Sequence, residues 1–194
     1  MPTKAEVRLA IRERLRKLPD KDRAMESQVI CRQLHKIIGD GSTSIGVYMP
    51  FLDEPDIRPL MNEFLKEGRI VCVPSVPSMG KKLMVFKQIK ALNDVRRDPV
   101  TGIPQPREGM LLENEASIGM VIVPGRAFTA ACDRLGRGGG GYDHWIHLQR
   151  RRNPVTKYIG VCFECQMLQE IPTEPHDEQV DIVITSGKVW RKAN

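Results

Sequence analysis

The sequence predicts an α/β fold: one domain of three layers, α/β/α, built on a mainly parallel central sheet. Two observations carry this. Short apolar runs rich in β-branched residues recur along the chain and are nearly continuous rather than alternating, as strands covered on both faces are. Segments of helical period precede and separate them, so a β-α-β crossover with a parallel pair is the economical connection.

The elements follow in order. Residues 4–18 place Val7, Ile11, Leu15 and Leu18 on one helical face, and residues 24–38 repeat the pattern with Met25, Val29, Leu34 and Ile37 before Gly39 stops the helix. Strands are expected at residues 44–48, 69–73, 83–89, 120–123, 158–163 and 181–184. Between the first two, residues 56–66 align Ile57, Leu60, Met61 and Leu65 as a crossover helix. Residues 90–115 and 124–141 read as long connections, a length that usually marks function.

Composition sets the bounds. The 194 residues hold 30 Lys plus Arg against 24 Asp plus Glu, a net charge of +6, with 41% hydrophobic and 28% charged residues. A chain of that size and balance buries its own core, which excludes a globally disordered protein. No segment approaches the roughly 18 consecutive apolar residues of a membrane helix. The charged start, Met1-Pro2-Thr3-Lys4, lacks a secretory apolar core, and five irregularly spaced cysteines suit reduced thiols, so a cytoplasmic address is expected; a monomer is the expected state, though nothing in the residues fixes it. The positive charge invites nucleic acid, and Arg150-Arg151-Arg152 with Lys188, Arg191 and Lys192 is where it would bind. With only 5% aromatic residues there are no stacking platforms to go with it, and a solvated helix end and frayed tail is the preferred reading.

The sharpest motif is Arg134-Leu135-Gly136-Arg137-Gly138-Gly139-Gly140-Gly141-Tyr142-Asp143. It contains G-x-G-x-x-G, but a dinucleotide fingerprint starts directly after a strand, and the preceding strand candidate ends about ten residues too early. Successive glycines can instead aim backbone N–H groups at an anion, and a following helix N-terminus adds positive potential. A plain surface loop would leave the bracketing arginines unexplained. Lys4, Arg8 and Arg12 stand at i, i+4 and i+8, which reads either as a solvated row or as a polyphosphate clamp. Asp143 and Asp177 are candidate Mg²⁺ ligands, since magnesium asks for one or two carboxylates beside water and phosphate oxygens. Cys162-Phe163-Glu164-Cys165 has no second half for a zinc site, no H-x-x-x-H pair exists among the four histidines, and no G-x-S-x-G elbow occurs.

Taken in order, Lys4-x-x-x-Arg8, Tyr48-Met49-Pro50-x-x-Asp53-Glu54, Val73-Pro74, Met84-Val85-Phe86, Gly102-Ile103-Pro104-Gln105-Pro106, Val123-Pro124-Gly125-x-Ala127-Phe128, the glycine loop through Tyr142-Asp143, Cys165-Gln166, Pro175-His176-Asp177 and Val180-Asp181 resemble the 5-formyltetrahydrofolate cyclo-ligase family. The resemblance spans nearly the whole chain. It implies a three-layer α/β fold and conversion of 5-formyltetrahydrofolate to 5,10-methenyltetrahydrofolate, with ATP as co-substrate and Mg²⁺ as cofactor. By position it implies that Lys4 and Arg8 hold ATP phosphates and that Arg134, Leu135, Gly136, Arg137, Gly138, Gly139, Gly140, Gly141 and Tyr142 wrap the nucleotide. Arg134, Arg137 and Tyr142 are its implied catalytic residues. Met49 and Glu54 are implied folate contacts, Arg137 to Gly141 are shared between the two ligands, and Asp143 and Asp177 hold Mg²⁺. The chain departs from the usual family pattern at Gly139, where lysine is frequent, at Gly141, where an aromatic residue is usual, and at Gln105 and His144, which replace a frequent acid and a frequent arginine. A non-catalytic folate- or nucleotide-binding protein on the same scaffold, and a nucleic-acid-binding module, are the alternatives.

Overall fold

The computed structural model describes residues 2–39, 44–76, 84–106 and 117–193. Among these residues there are four α-helices: α1 Lys4–Lys17, α2 Asp20–Ile38, α3 Arg58–Lys66 and α4 Gly141–Arg152. Twelve strands accompany them: β1 Ser44–Gly46, β2 Ile70–Ser75, β3 Val85–Ile89, β4 Val95–Arg97, β5 Pro104–Pro106, β6 Met120–Pro124, β7 Ala127–Thr129, β8 Arg134–Leu135, β9 Lys157–Val161, β10 Met167–Leu168, β11 Ile182–Ile184 and β12 Val189–Arg191. Seven form the central sheet in the order β12-β11-β9-β6-β1-β2-β3. Its inner pairs are parallel, and the two edge strands, β3 and β12, run antiparallel.

Alternation along each inner strand sends side chains to two separate cores, which makes the predicted α/β/α layering a packing fact. Ile45, Val71, Val73, Ile122, Ile159 and Ile184 face one side, with Ile30 and Leu34 of α2 and Leu60, Met61 and Phe64 of α3. Cys72, Val121, Val123, Tyr158 and Val183 face the other, with Trp145 and Ile146 of α4. Burial on both faces explains why these strands lack a polar alternation. The β1-α3-β2 unit is parallel, as expected.

α1 takes no part in those layers. Thr3 caps it with a reciprocal Thr3–Glu6 capping box, and Val7, Ile11 and Leu15 pack on Ala127, Leu135 and Phe163, against the small sheet β10-β7-β8.

Five expectations need correction. The two long connections are partly strand: β4 pairs with β5 inside the first, and β7 pairs with β8 inside the second. Residues 107–115 of the first, and Leu83 of the third expected strand, lie outside the described residues. In α2 the buried face is Glu26, Ile30, Leu34 and Ile38, while Met25 is 56% exposed; Glu26 can take the buried place because its carboxylate accepts from the Glu164 amide at 2.9 Å. The chain end is not frayed, since β12 pairs with β11. Arg150 is not solvated at a helix end but is paired with acidic side chains. Among the described residues no helix is long and apolar enough to cross a membrane. All five cysteines are free thiols, and burial pushes Cys31 and Cys132 up to about 11.

Candidate active site

β1 leads by way of α3 to β2 on one side, while β6, β9 and β11 extend the sheet on the other, so strand order reverses between β1 and β6. Open α/β sheets bind ligands at such a point, outside the carboxyl ends of the strands. A cleft of ≈ 260 Å³ opens there. Tyr48, Met49, Phe51 and Glu54 enter it from the segment after β1, Pro74 and Val76 from the end of β2, and Pro124 and Gly125 from the end of β6. Met84, Ile103 and Pro104 form the apolar far wall, and the glycine loop with Arg134, Tyr142 and Asp143 forms the near one. Gln105 braces that far wall by accepting from the Val76 amide at 2.7 Å, an acceptor role its amide oxygen fills without an acid.

The glycine loop follows β8 directly and opens α4, so a strand does precede the motif, contrary to the sequence expectation. That strand is antiparallel to β7 in the side sheet, which still sets the loop apart from a dinucleotide-binding βαβ unit. Gly138 (φ 105°) and Gly140 (φ 67°) adopt backbone that L side chains rarely take. Gly140 is the N-cap of α4 and offers no side-chain cap, which leaves the first amides of α4 open to an anion.

Charged side chains converge on this loop. Arg137 donates to Glu54 Oε1 from Nε (3.0 Å) and Nη2 (2.8 Å), and from Nη2 to Asp53 Oδ1 (2.6 Å). Its guanidinium lies 4.4 Å from the centre of the Phe51 ring. Asp53 also pairs with Arg126; burial would raise the Asp53 carboxyl, but hydrogen bonds from Arg126 and Arg137 hold it below the usual range. Arg134, its side chain 2% exposed, donates to Asp143 Oδ1 at 2.6 Å. Arg134 Nε and the Tyr142 hydroxyl are both buried without a protein partner. Buried polar atoms are rarely orphaned, so two at one cleft wall mark a place where a ligand group completes the set.

Lys4 and Arg8 reach the same region from α1. Arg8 Nε donates to the Gly136 carbonyl at 2.8 Å, and Lys4 Nζ lies 2.7 Å from Glu174 Oε2 and 2.8 and 2.7 Å from the two oxygens of Asp177. Burial works against the Lys4 charge, but the bonds to Asp177 and Glu174 outweigh it and raise the pKa above 10.5.

The structure brings Met49, Glu54, Arg134, Gly136, Arg137, Gly139, Gly140, Gly141 and Tyr142 to one cleft and sets Lys4, Arg8 and Asp177 beside it; Gly138 faces the Arg8 guanidinium and does not line the cleft. Leu135 does not line it; its side chain packs under α1. Asp143 and Asp177 sit on adjoining segments, linked by the Glu178 amide, which donates to Asp143 Oδ1 at 3.2 Å. Among the described residues the metal-capable cluster is Glu174, His176 and Asp177, without Asp143. Asp53, Phe51 and Arg126 do not stand out in the sequence as site residues, although Asp53-Glu54 is visible there as an acidic pair. Gln166 likewise gains its role only in the fold; its amide donates to the Gly125 and Arg126 carbonyls at 2.9 and 3.0 Å and holds the loop after β6.

Fold and cleft together define an α/β protein with a cleft at the sheet's switch point, one wall a glycine loop and the other apolar. The chain belongs to the 5-formyltetrahydrofolate cyclo-ligase family, whose sequence pattern matches residues 1–186. It is 26% identical over 188 residues to the 5-formyltetrahydrofolate cyclo-ligase of Mus musculus, covering 92% of this chain and 91% of that one. The protein of that name from Escherichia coli (strain K12) is 26% identical, with 93% and 98% covered. The solution structure of Aquifex aeolicus 5,10-methenyltetrahydrofolate synthetase superposes with a TM-score of 0.82 at 25% identity, over 98% of this chain and 93% of that chain. A Mycoplasma pneumoniae 5,10-methenyltetrahydrofolate synthetase shares the fold, with a TM-score of 0.74 at 21% identity over 94% and 98%.

Proposed function

We propose that this protein is a 5-formyltetrahydrofolate cyclo-ligase that uses ATP and Mg²⁺ to form 5,10-methenyltetrahydrofolate, ADP and phosphate. The observation that carries the reading is a shared wall: the glycine loop borders the cleft lined by Met49 and Glu54, while Arg8 of α1 donates to the Gly136 carbonyl of the same loop and Lys4, one turn earlier, holds Asp177. A flat apolar ligand and a polyphosphate therefore have adjoining places. The same reading takes the chain as a single-domain cytoplasmic monomer.

The chemistry accounts for the residue types. A formamide oxygen is a poor nucleophile and, as oxide, a poor leaving group. Attack of that oxygen on the γ-phosphorus releases ADP and leaves an N5-iminium phosphate; N10 then closes on the same carbon and gives up its proton to solvent, and phosphate departs with the oxygen. Phosphoryl transfer of this kind depends on alignment and charge neutralisation, so no protein nucleophile is required. Lys4, Arg8 and the open amides of the loop bind phosphate. Arg134 and Arg137 neutralise charge as it develops, and the Tyr142 hydroxyl donates to a ligand oxygen. Glu54 accepts from the adjacent N–H groups of the pterin, and Met49 packs on the ring.

Asp143 and Asp177 offer hard carboxylate oxygens of the kind magnesium takes, and Glu174 and His176 stand beside Asp177; Lys4 and Arg134 engage the two aspartates and would give way to the ion. Mg²⁺ bound there would screen the phosphates of the nucleotide.

The test is direct: purified protein with 5-formyltetrahydrofolate, ATP and Mg²⁺ should generate the methenyl chromophore. Binding of either ligand without turnover at high enzyme concentration would leave a non-catalytic binder instead.

A further inference from the structure

Three residues of α4, Asp143, His147 and Arg150, stand at i, i+4 and i+7 and present one face to residues 178–181. Arg150 ties this face together. Its Nη2 donates to the Gln179 carbonyl at 2.8 Å, its Nε faces Glu178 Oε2 at 3.2 Å, and its Nη1 lies 3.7 Å from Asp181 Oδ1. The guanidinium also covers the Tyr158 ring at 4.6 Å. The other oxygen of Glu178 meets His147 Nδ1 at 3.1 Å. Residue 178 is thus held from α4 by its side chain, while its amide donates to Asp143 and its preceding neighbour is Asp177.

We propose that Arg150 is a positioning residue: by pinning residues 178 and 179 to α4 it sets how Asp143 and Asp177 face one another. This rests on the reading of those two aspartates as magnesium ligands. Groups that orient ligating carboxylates act on metal affinity without touching the metal. A planar fork with several donors reaches a carbonyl and two carboxylates at once, which the single ammonium of lysine does not.

The experiment titrates Mg²⁺ into the full-length protein at fixed ADP and reads heat of binding, with 5-formyltetrahydrofolate KM and thermal midpoint measured in parallel. Arg150→Gln should raise the Mg²⁺ half-saturation on the order of tenfold or more, Arg150→Lys should fall between it and wild type, and folate KM should stay within about twofold. Arg151→Gln, at an exposed neighbour, should match wild type. If Arg150→Gln does not fold, Glu178→Gln removes the carboxylate partner and carries the same expectation. Loss of Mg²⁺ response in Asp143→Asn and Asp177→Asn with wild-type response in Arg150→Gln overturns the inference alone. Wild-type response in both aspartate variants overturns the metal reading and the inference with it.

Discussion

Arg137 and Glu54, 83 positions apart, are joined by two hydrogen bonds to the same carboxylate oxygen, at 3.0 and 2.8 Å. The other oxygen, Oε2, accepts from the Phe51 amide at 3.0 Å. Any ligand that takes Oε1 must displace a guanidinium, and Asp53 stands ready to keep that guanidinium neutralised. The carboxylate proposed to read the pterin is therefore held in shape before substrate arrives.

Glu54→Gln should weaken 5-formyltetrahydrofolate binding far more than ATP binding. Folding stability should fall by only about 1 kcal/mol, because Arg137 is partly exposed and retains Asp53. Ligand titrations and urea unfolding measure the two effects. Unchanged folate affinity would remove Glu54 from the substrate contacts.

Lys4→Ala and Arg8→Ala should each raise the KM for ATP by roughly ten- to a hundredfold, the range for loss of a charge-assisted contact, with a smaller effect on folate. Steady-state kinetics with each substrate varied in turn is the measurement. Equal loss for both substrates would argue for general damage over a phosphate clamp.

The loop glycines are not equivalent. Gly138→Ala forces a side chain into backbone at φ 105° and should cost about 1 kcal/mol or more with a loss of ATP use. Gly139 has ordinary backbone, and a Cβ there would meet nothing within 4 Å, so Gly139→Lys should leave the thermal midpoint nearly unchanged while adding a cation beside the phosphates. A large destabilisation by Gly139→Lys would contradict this geometry.

Gly160→Ala should be strongly destabilising. Its Cβ would collide with Phe128 Cε1 in a closed core, and overpacking of that kind typically costs about 1–3 kcal/mol. Chemical denaturation reads the loss, and Phe128→Leu in the same chain should recover part of it.

The Lys4–Asp177 pair sets a pH window for stability. Burial pushes the Asp177 carboxyl up, but bonds from Lys4 and the Glu174 amide outweigh it and leave the pKa below 3.8. Its contribution is present above the unfolded value and is lost as pH falls through the folded one. Lys4, raised above 10.5, contributes below its unfolded value and loses that as pH rises through the folded one. The difference in thermal midpoint between wild type and Lys4→Ala should be level across about pH 5–9 and shrink outside it. A slope across neutral pH would require another titrating partner.

Much of the frame is legible in the sequence because it rests on local periodicity. Val7, Ile11 and Leu15 mark the buried stripe of α1, and the β-branched runs mark the inner strands of the sheet. The small sheet is not legible: Arg134-Leu135 is a two-residue strand whose arginine is buried by pairing with Asp143, a partner no local pattern announces. α2 misleads because Met25 suits a core yet lies on the exposed side, while Glu26 takes a buried place through a bond from the Glu164 amide at 2.9 Å. At the site, residue types and order point to Glu54, the glycines and Asp143. Arg150 and Asp53 escape such reading because their meaning lies in contacts with segments far along the chain.

Phe128 fills a notch left by two glycines, with its ring close to where side chains at Gly125 and Gly160 would sit. At Gly160 β9 thus has no bulk of its own and borrows it from the hairpin that ends in the glycine loop. Assembly of the core cannot finish until that hairpin docks, so the platform for catalysis matures together with the hydrophobic interior instead of being appended afterwards.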